Sequence, residues 1–264
     1  MTQMIGQDRI LSIINNYTFQ TLPKALLLVG PKGCGKHTLV NYIKEKFELD
    51  LEELEDKVSS EELLDYFYST LNTLYLIDLD KFTDKQQNQF LKFIEEPSKS
   101  SYIVLIAESE SNILPTILNR CIRYHLDAYT PEQLKQIIQT DLDPRAFEIY
   151  KTPGKLMNLS NKDFLNTFSF AEKLVLKVSQ ATYANTMSIT NKINYKDFYN
   201  KIDFDLFLDT IEYLAFEDFK LNNSKLSLDI FKLSVKYKQL ATKKTLIRET
   251  LMLNYLTALW EVAR

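Results

Sequence analysis

The stretch GPKGCGKHT, Gly30 to Thr38, carries the glycine and lysine spacing of a phosphate-binding loop, G-x-x-x-x-G-K-[ST]. Such a loop works because successive backbone N–H groups converge on phosphate oxygens at a helix N-terminus, and glycine lets the backbone approach closely. Gly33, Cys34, Gly35 and Lys36 would donate to the phosphates, with Lys36 neutralising β/γ charge. Gly30, His37 and Thr38 complete the candidate nucleotide-binding set. His37 stands where a Ser or Thr would hold magnesium. That ion takes oxygen ligands at about 2.0–2.1 Å, for which imidazole is a poor substitute. Thr38 is one residue late, so its hydroxyl starts about 100° around the helix. Weak binding of ATP or ADP without ordinary magnesium placement is the expectation; the bland alternative is a glycine-rich turn with no ligand.

A second candidate is the carboxylate that closes the apolar run LYLID. Asp78 could hold a metal-bound water, but Leu79 follows it. Asp80, next in line, alternates away on an extended chain and reads as a solvated strand end. The set is equipped to bind nucleotide and poorly equipped to cleave it.

Positioning these residues requires a strand before the loop and a helix after it. ALLLVG and TLVNYIKEKF supply both. LYLID (Leu74 to Asp78) and YIVLIAES (Tyr102 to Ser109) are further apolar runs of strand length. Between them KFTDKQQNQFLKFIEEP reads as one amphipathic helix stopped by Pro97. NILPTILNRC reads as a short helix and IRYHL as a short strand. Strands alternating with helices predict a parallel α/β sheet. After Thr130, a candidate N-cap followed by Pro131, only helical patterns recur. The last, TLIRETLMLNYLTALWEVAR, is apolar at Leu246, Leu251, Leu253, Leu256, Leu259 and Trp260.

Composition narrows the function class. The 264 residues are 45% hydrophobic with net charge −3, so the chain can bury large cores and carries no global basic field for nucleic acid. FKLSVKYKQLATKK (Phe231 to Lys244) interleaves aromatics with lysines but reads as an amphipathic helix with snorkelling lysines. Cys34 and Cys121 are the only cysteines, too few for a cysteine-based zinc site, and Cys121 reads as a packed residue. His37 and His125 show no pattern of a metal or catalytic pair. The opening MTQMIGQDRI is polar and no apolar run reaches membrane-span length, so a cytoplasmic chain is expected.

The order GQDRILSII, LPKALLLVGPKGCGK, LIDLDKFTDKQQNQFLKFIEEP, ILPTILNRC resembles the bacterial clamp-loader subunits of the AAA+ superfamily, nearest the delta-prime family of DNA polymerase III. QNQFLKFIEEP is similar to the family's N-x-L-L-K-x-L-E-E-P helix. ILNRC resembles its S-R-C motif, whose arginine reaches a neighbouring subunit's ATP. TPGKLMNL resembles its sensor-2 region. The detailed resemblance covers residues 4 to 160. It implies an AAA+ nucleotide-binding module (1–128), a helical lid (129–159) and a helical collar for oligomerisation (160–264). It also implies Arg120 acting in trans and Lys155 at the nucleotide. Its partners would be other subunits of a hetero-oligomeric ring, with sliding clamp and primer-template DNA reached through the complex and no membrane.

The departures are Asn119 for the serine of S-R-C, Lys155 where arginine is frequent, no four-cysteine zinc module, and Leu79 where hydrolysing members carry a glutamate. They favour a non-motor subunit. An active small ATPase, of the clamp-loader motor or nucleotide-kinase type, and a free-standing helicase-loader ATPase are the alternatives.

Overall fold

The computed structural model describes residues 4–54, 71–180, 203–241 and 247–262. They divide into two compact units, Met1–Ile138 with Lys151–Gly154, and Gln139–Tyr150 with Lys155–Arg264.

The first unit is built on a five-stranded parallel sheet: β1 (Ala25–Val29), β2 (Asp50–Glu53), β3 (Thr73–Asp78), β4 (Ser101–Ala107) and β5 (Ile122–His125), in the order β2-β3-β4-β1-β5. Every residue of β1 and β4 is buried, and all of β3 except Asp78. Inner strands of a parallel sheet are covered on both faces, which is why their sequences run apolar without alternation. β2, with the sequence DLEE, was not legible. It is a short polar edge strand held by parallel pairing with β3, from Asp50 opposite Thr73 to Glu53 opposite Leu76.

Helix α1 (Asp8–Asn16) precedes the sheet; from β1 the chain passes through helix α2 (Lys36–Phe47) to the β2 edge, steps back through β3 and β4, then crosses to β5 on the far side of β1. Open parallel sheets bind ligands beyond the carboxyl ends of their strands where the direction of travel reverses. Here that point is the C-terminal end of β1, where the glycine loop begins.

The segment expected as one helix between β3 and β4 is broken. A 3₁₀ turn (Leu79–Lys81) precedes a short helix (Asp84–Gln87), a second 3₁₀ turn (Asn88–Phe90) and a last helix (Leu91–Glu95). Thr83 starts the helical part, its N–H and hydroxyl both donating to Gln86 Oε1 (2.9 and 2.8 Å). Packing decides the rest: Phe82 and Phe90 meet edge to face at 4.9 Å, as do Tyr75 and Phe93 at 5.2 Å, against Leu27, Ile77 and Leu105 of the sheet. In NILPTILNRC the α-helix covers only Pro115–Leu118, and Asn112 ends a 3₁₀ turn (Glu110–Asn112). Thr130 caps the helix Pro131–Ile137 as expected, accepting from Gln133 N–H while Gln133 Oε1 accepts from Thr130 N–H.

The second unit is helical. Among the described residues its long helices are Asn161–Ser179, Phe204–Asn222, Lys225–Ala241 and Arg248–Val262. Their apolar faces bury Phe207, Ile211, Ile230, Tyr255, Leu256, Leu259 and Trp260. Leu251 is buried but Leu253 is exposed, because two residues along a helix is about 200° of rotation. Leu246 lies outside the described residues. Asn223 ends the helix Phe204–Asn222 in the left-handed region (φ 48°), its N–H donating to Phe219 O at 2.8 Å. Among the described residues no strand follows His125, and no helix is long and apolar enough to cross a membrane.

Candidate functional site

The glycine loop leaves β1 with Gly30 N–H donating to Ala107 O of β4 (3.1 Å). Gly33 (φ 78°) and Gly35 (φ 94°) occupy the left-handed region, which costs other residues about 1–2 kcal/mol. Gly35 is the N-cap of α2, so the loop feeds a helix N-terminus as the motif requires. Cys34 is fully buried. Its N–H donates to Pro31 O (3.2 Å) and its carbonyl accepts from the Tyr129 hydroxyl (3.0 Å). Burial pushes the Cys34 thiol up, against a smaller opposing pull from Lys36. The Lys36 ammonium, on a residue only 8% exposed, donates to the loop's own carbonyls, Gly30 O at 2.5 Å and Pro31 O at 3.2 Å.

One neighbour of this loop was not expected from spacing. Gly154 N–H donates to Gly33 O at 3.0 Å, and a Cβ added at Gly154 would stand 2.5 Å from Gly33 Cα. Two glycine backbones therefore lie in direct contact at the middle of the loop. The signal was present in TPGKLMNL, where a second glycine serves close backbone approach.

His37 is exposed on the first turn of α2 and Thr38 is half-buried beside it. Asp78 ends β3 with its side chain 19% exposed, Oδ2 lying 3.6 Å from the Lys81 ammonium and Oδ1 accepting from Asp80 N–H (3.3 Å). Leu79, the next residue, is buried in the core. Asp80 is not the solvated strand end expected: its Oδ2 accepts from Glu108 N–H at 2.7 Å, because the 3₁₀ turn swings it toward the end of β4. The loop's architecture suits phosphate. Beside it, His37 places an exposed imidazole where a hydroxyl would hold magnesium, and the buried Leu79 after Asp78 offers no carboxylate to activate water. Among the described residues no three His, Cys, Asp or Glu side chains cluster as a metal site. His125 Nε2 lies 3.0 Å from Glu110, which also pairs with Arg123 at 3.1 Å, an exposed group at the end of β5.

Arg120 follows the helix Pro115–Leu118 and precedes β5. Its backbone N–H donates to Ile117 O (3.0 Å) and its side chain is 37% exposed. Lys155 belongs to the second unit. There its ammonium pairs with Asp209, whose other oxygen lies 2.8 Å from the Lys238 ammonium; Lys238 also reaches Glu212 at 2.7 Å. Lys238 thus serves an internal ion cluster, whereas a snorkelling lysine would carry its ammonium out to water.

The family described as DNA polymerase III, delta subunit, matches residues 50–130, the stretch that holds Asp78, Glu95 and Arg120 but not the glycine loop. Human replication factor C subunit 5 is 22% identical over 77% of this chain and 65% of its own length. The delta-prime subunit of DNA polymerase III from Bacillus subtilis is 36% identical over 27% of this chain and 22% of its own length. The chain spans less than two thirds of the length of these relatives. A RuvB variant from Thermotoga maritima superposes with a TM-score of 0.50 at 17% identity, covering 83% of this chain and 78% of that one. The fold is that of the AAA+ proteins, and the sequence is similar to clamp-loader subunits.

Proposed function

We propose that this AAA+ chain, similar to subunits of replication clamp loaders, is a non-motor member of such a ring and supplies Arg120 to the ATP held by a neighbouring subunit. Residues 1–128 would form the nucleotide-binding module, 129–159 the lid and 160–264 the collar that joins it to other subunits. The complex would place a sliding clamp on primer-template DNA. The observation that carries the reading is the contrast between two sites in one unit. Arg120 sits partly exposed at the sheet edge, while the chain's own loop has an exposed His37 and a buried Leu79 at the metal and water-activating positions.

Phosphoryl transfer is catalysed chiefly by positioning and by charge placed where charge develops. An arginine reaching in from a neighbour stabilises that charge and contributes about 10³–10⁵ in rate. At the chain's own loop, Gly33, Gly35 and Lys36 would hold the phosphates of ATP or ADP, supplying affinity rather than hydrolysis. Gly154 packed on Gly33, and the Lys36 ammonium on two loop carbonyls, favour weak binding. The reading involves no magnesium or zinc in this chain.

The test is steady-state ATPase activity of a cognate motor subunit with this chain, clamp and primed DNA. Arg120→Ala should remove most of the stimulation with assembly intact, and Lys36→Ala should matter little. If Lys36→Ala cripples the complex while Arg120→Ala behaves as wild type, the chain is itself a motor and the reading fails.

A further inference from the structure

The Arg120 guanidinium is held by two elements of its own unit. Nη1 donates to Thr116 O at 2.7 Å, and Nε pairs with Glu95. Thr116 belongs to the four-residue helix Pro115–Leu118, whose terminal carbonyls have few partners within so short an element, so the contact also caps that helix. Glu95 is the last residue of the helix Leu91–Glu95. Pro97 keeps Glu96 out of the helical region (φ −129°, ψ 58°), so the helix stops with the Glu95 carboxylate at its end. That end and the guanidinium line one cleft of about 440 Å³ together with Pro23, Lys24, Glu96 and Pro97. Two contacts leave the rest of the five-donor guanidinium fork outside them.

We infer that Glu95 is a positioning residue for Arg120: it fixes the guanidinium before the ring forms, so that the arginine meets the neighbour's phosphates already oriented. The inference rests on the trans role proposed for Arg120. A finger contributes only in the rotamers that reach the phosphoryl group. Fixing Nε and Nη1 in the separate chain removes rotamer freedom that would otherwise be lost at the transition state. Both side chains are partly exposed, 37% for Arg120 and 42% for Glu95, so the pair is a weak constraint and its loss reads as a few-fold effect. The opposite arrangement, in which Glu95 holds the arginine back from phosphate, would make removal of Glu95 accelerate the reaction.

The measurement is the neighbour's ATPase in the reconstituted complex. Glu95→Ala should lower kcat about fivefold, the size of an exposed ion pair, with KM for ATP and assembly unchanged. Glu95→Gln, whose amide oxygen still accepts from Nε, should retain most of the rate. In an Arg120→Ala background, Glu95→Ala should cost nothing further. In the chain alone, the arginine side-chain NMR signal of Arg120 Nε–H should exchange slowly with water in wild type and quickly in Glu95→Ala. If Arg120→Ala leaves the ATPase unchanged, the trans role fails and the positioning role with it. If Arg120→Ala removes the rate while Glu95→Ala leaves it unchanged, raises it, or lowers it only by weakening assembly, the positioning role alone is overturned.

Discussion

Substituting Gly154 by alanine tests the contact between Gly154 and the glycine loop through the sign of a stability change. Gly154 has no positive φ, so alanine fits its backbone conformation and only the space in front of Cα changes. At an unobstructed site such a change stabilises a protein by about 0.4–1 kcal/mol, because the unfolded chain loses freedom. Here the new Cβ would lie 2.5 Å from Gly33 Cα and 3.2 Å from Gly33 O, against an optimum of about 3.5–4.0 Å between carbons. Relief requires one backbone to retreat by about an ångström, since neither neighbour is a flexible side-chain end. Overpacking of this kind costs about 1–3 kcal/mol. The retreat also stretches the 3.0 Å bond from Gly154 N–H to Gly33 O, worth about 0.5–1.5 kcal/mol. The net expectation is destabilisation by about 1–3 kcal/mol. At about 2–4 °C per kcal/mol for a chain of this size class, Tm falls by roughly 2–12 °C. Differential scanning calorimetry, or far-UV circular dichroism against temperature, reads this directly. Gly33→Ala is the companion: its Cβ would meet Gly154 Cα at 2.8 Å and it adds the left-handed penalty of about 1–2 kcal/mol, so it should fall further. A Gly154→Ala chain that melts at or above wild type would refute the contact.

Three further outcomes are expected. Burial pulls the Lys238 ammonium down, but Asp209 and Glu212 more than offset it and leave it above the usual lysine value, while burial pushes the Tyr150 and Tyr255 hydroxyls up. Raised folded-state values contribute stability that is whole below the unfolded values, about 10 for Tyr and 10.4 for Lys, and is lost as pH rises through the folded ones. The urea midpoint should therefore drop between roughly pH 10 and 12, with a shallower drop in Lys238→Met; an unchanged slope in that variant would remove Lys238 from the account. Burial pushes the Cys121 thiol up to about 12 and raises that of Cys34, so at pH 7.5 iodoacetamide should label neither in the native chain and both in denaturant; rapid native labelling of Cys34 would contradict its buried place in the loop. Metal analysis of tag-free protein should find no stoichiometric zinc, and zinc that resists mild chelation would overturn that expectation.

The parts legible in the sequence were those whose physics is local. ALLLVG, LYLID and YIVLIAES read as buried strands because burial on both faces demands unbroken apolar runs, and the strands Ala25–Val29, Thr73–Asp78 and Ser101–Ala107 lie there. GPKGCGK read as a glycine loop between strand and helix because close backbone approach demands glycine, and it leads from β1 into α2. The Thr130–Gln133 cap lies within four residues and was equally readable. Tertiary structure decided what depends on residues far apart in the chain. DLEE is a strand only because β3 offers it an edge, and the helix before Pro97 breaks because Phe82 and Phe90 must meet over the sheet. Asp80 turns to the Glu108 amide, 28 residues away. Lys155, matched by motif to a nucleotide contact, is found on Asp209, 54 residues away. Glu95 meets Arg120 only because a proline-stopped helix and a short helix end beside each other. Backbone conformation and burial pattern are written in neighbouring residue types. The partner of a charge is chosen by whatever the folded chain brings within reach, because hydrogen bonds and ion pairs act over a few ångströms regardless of separation along the chain.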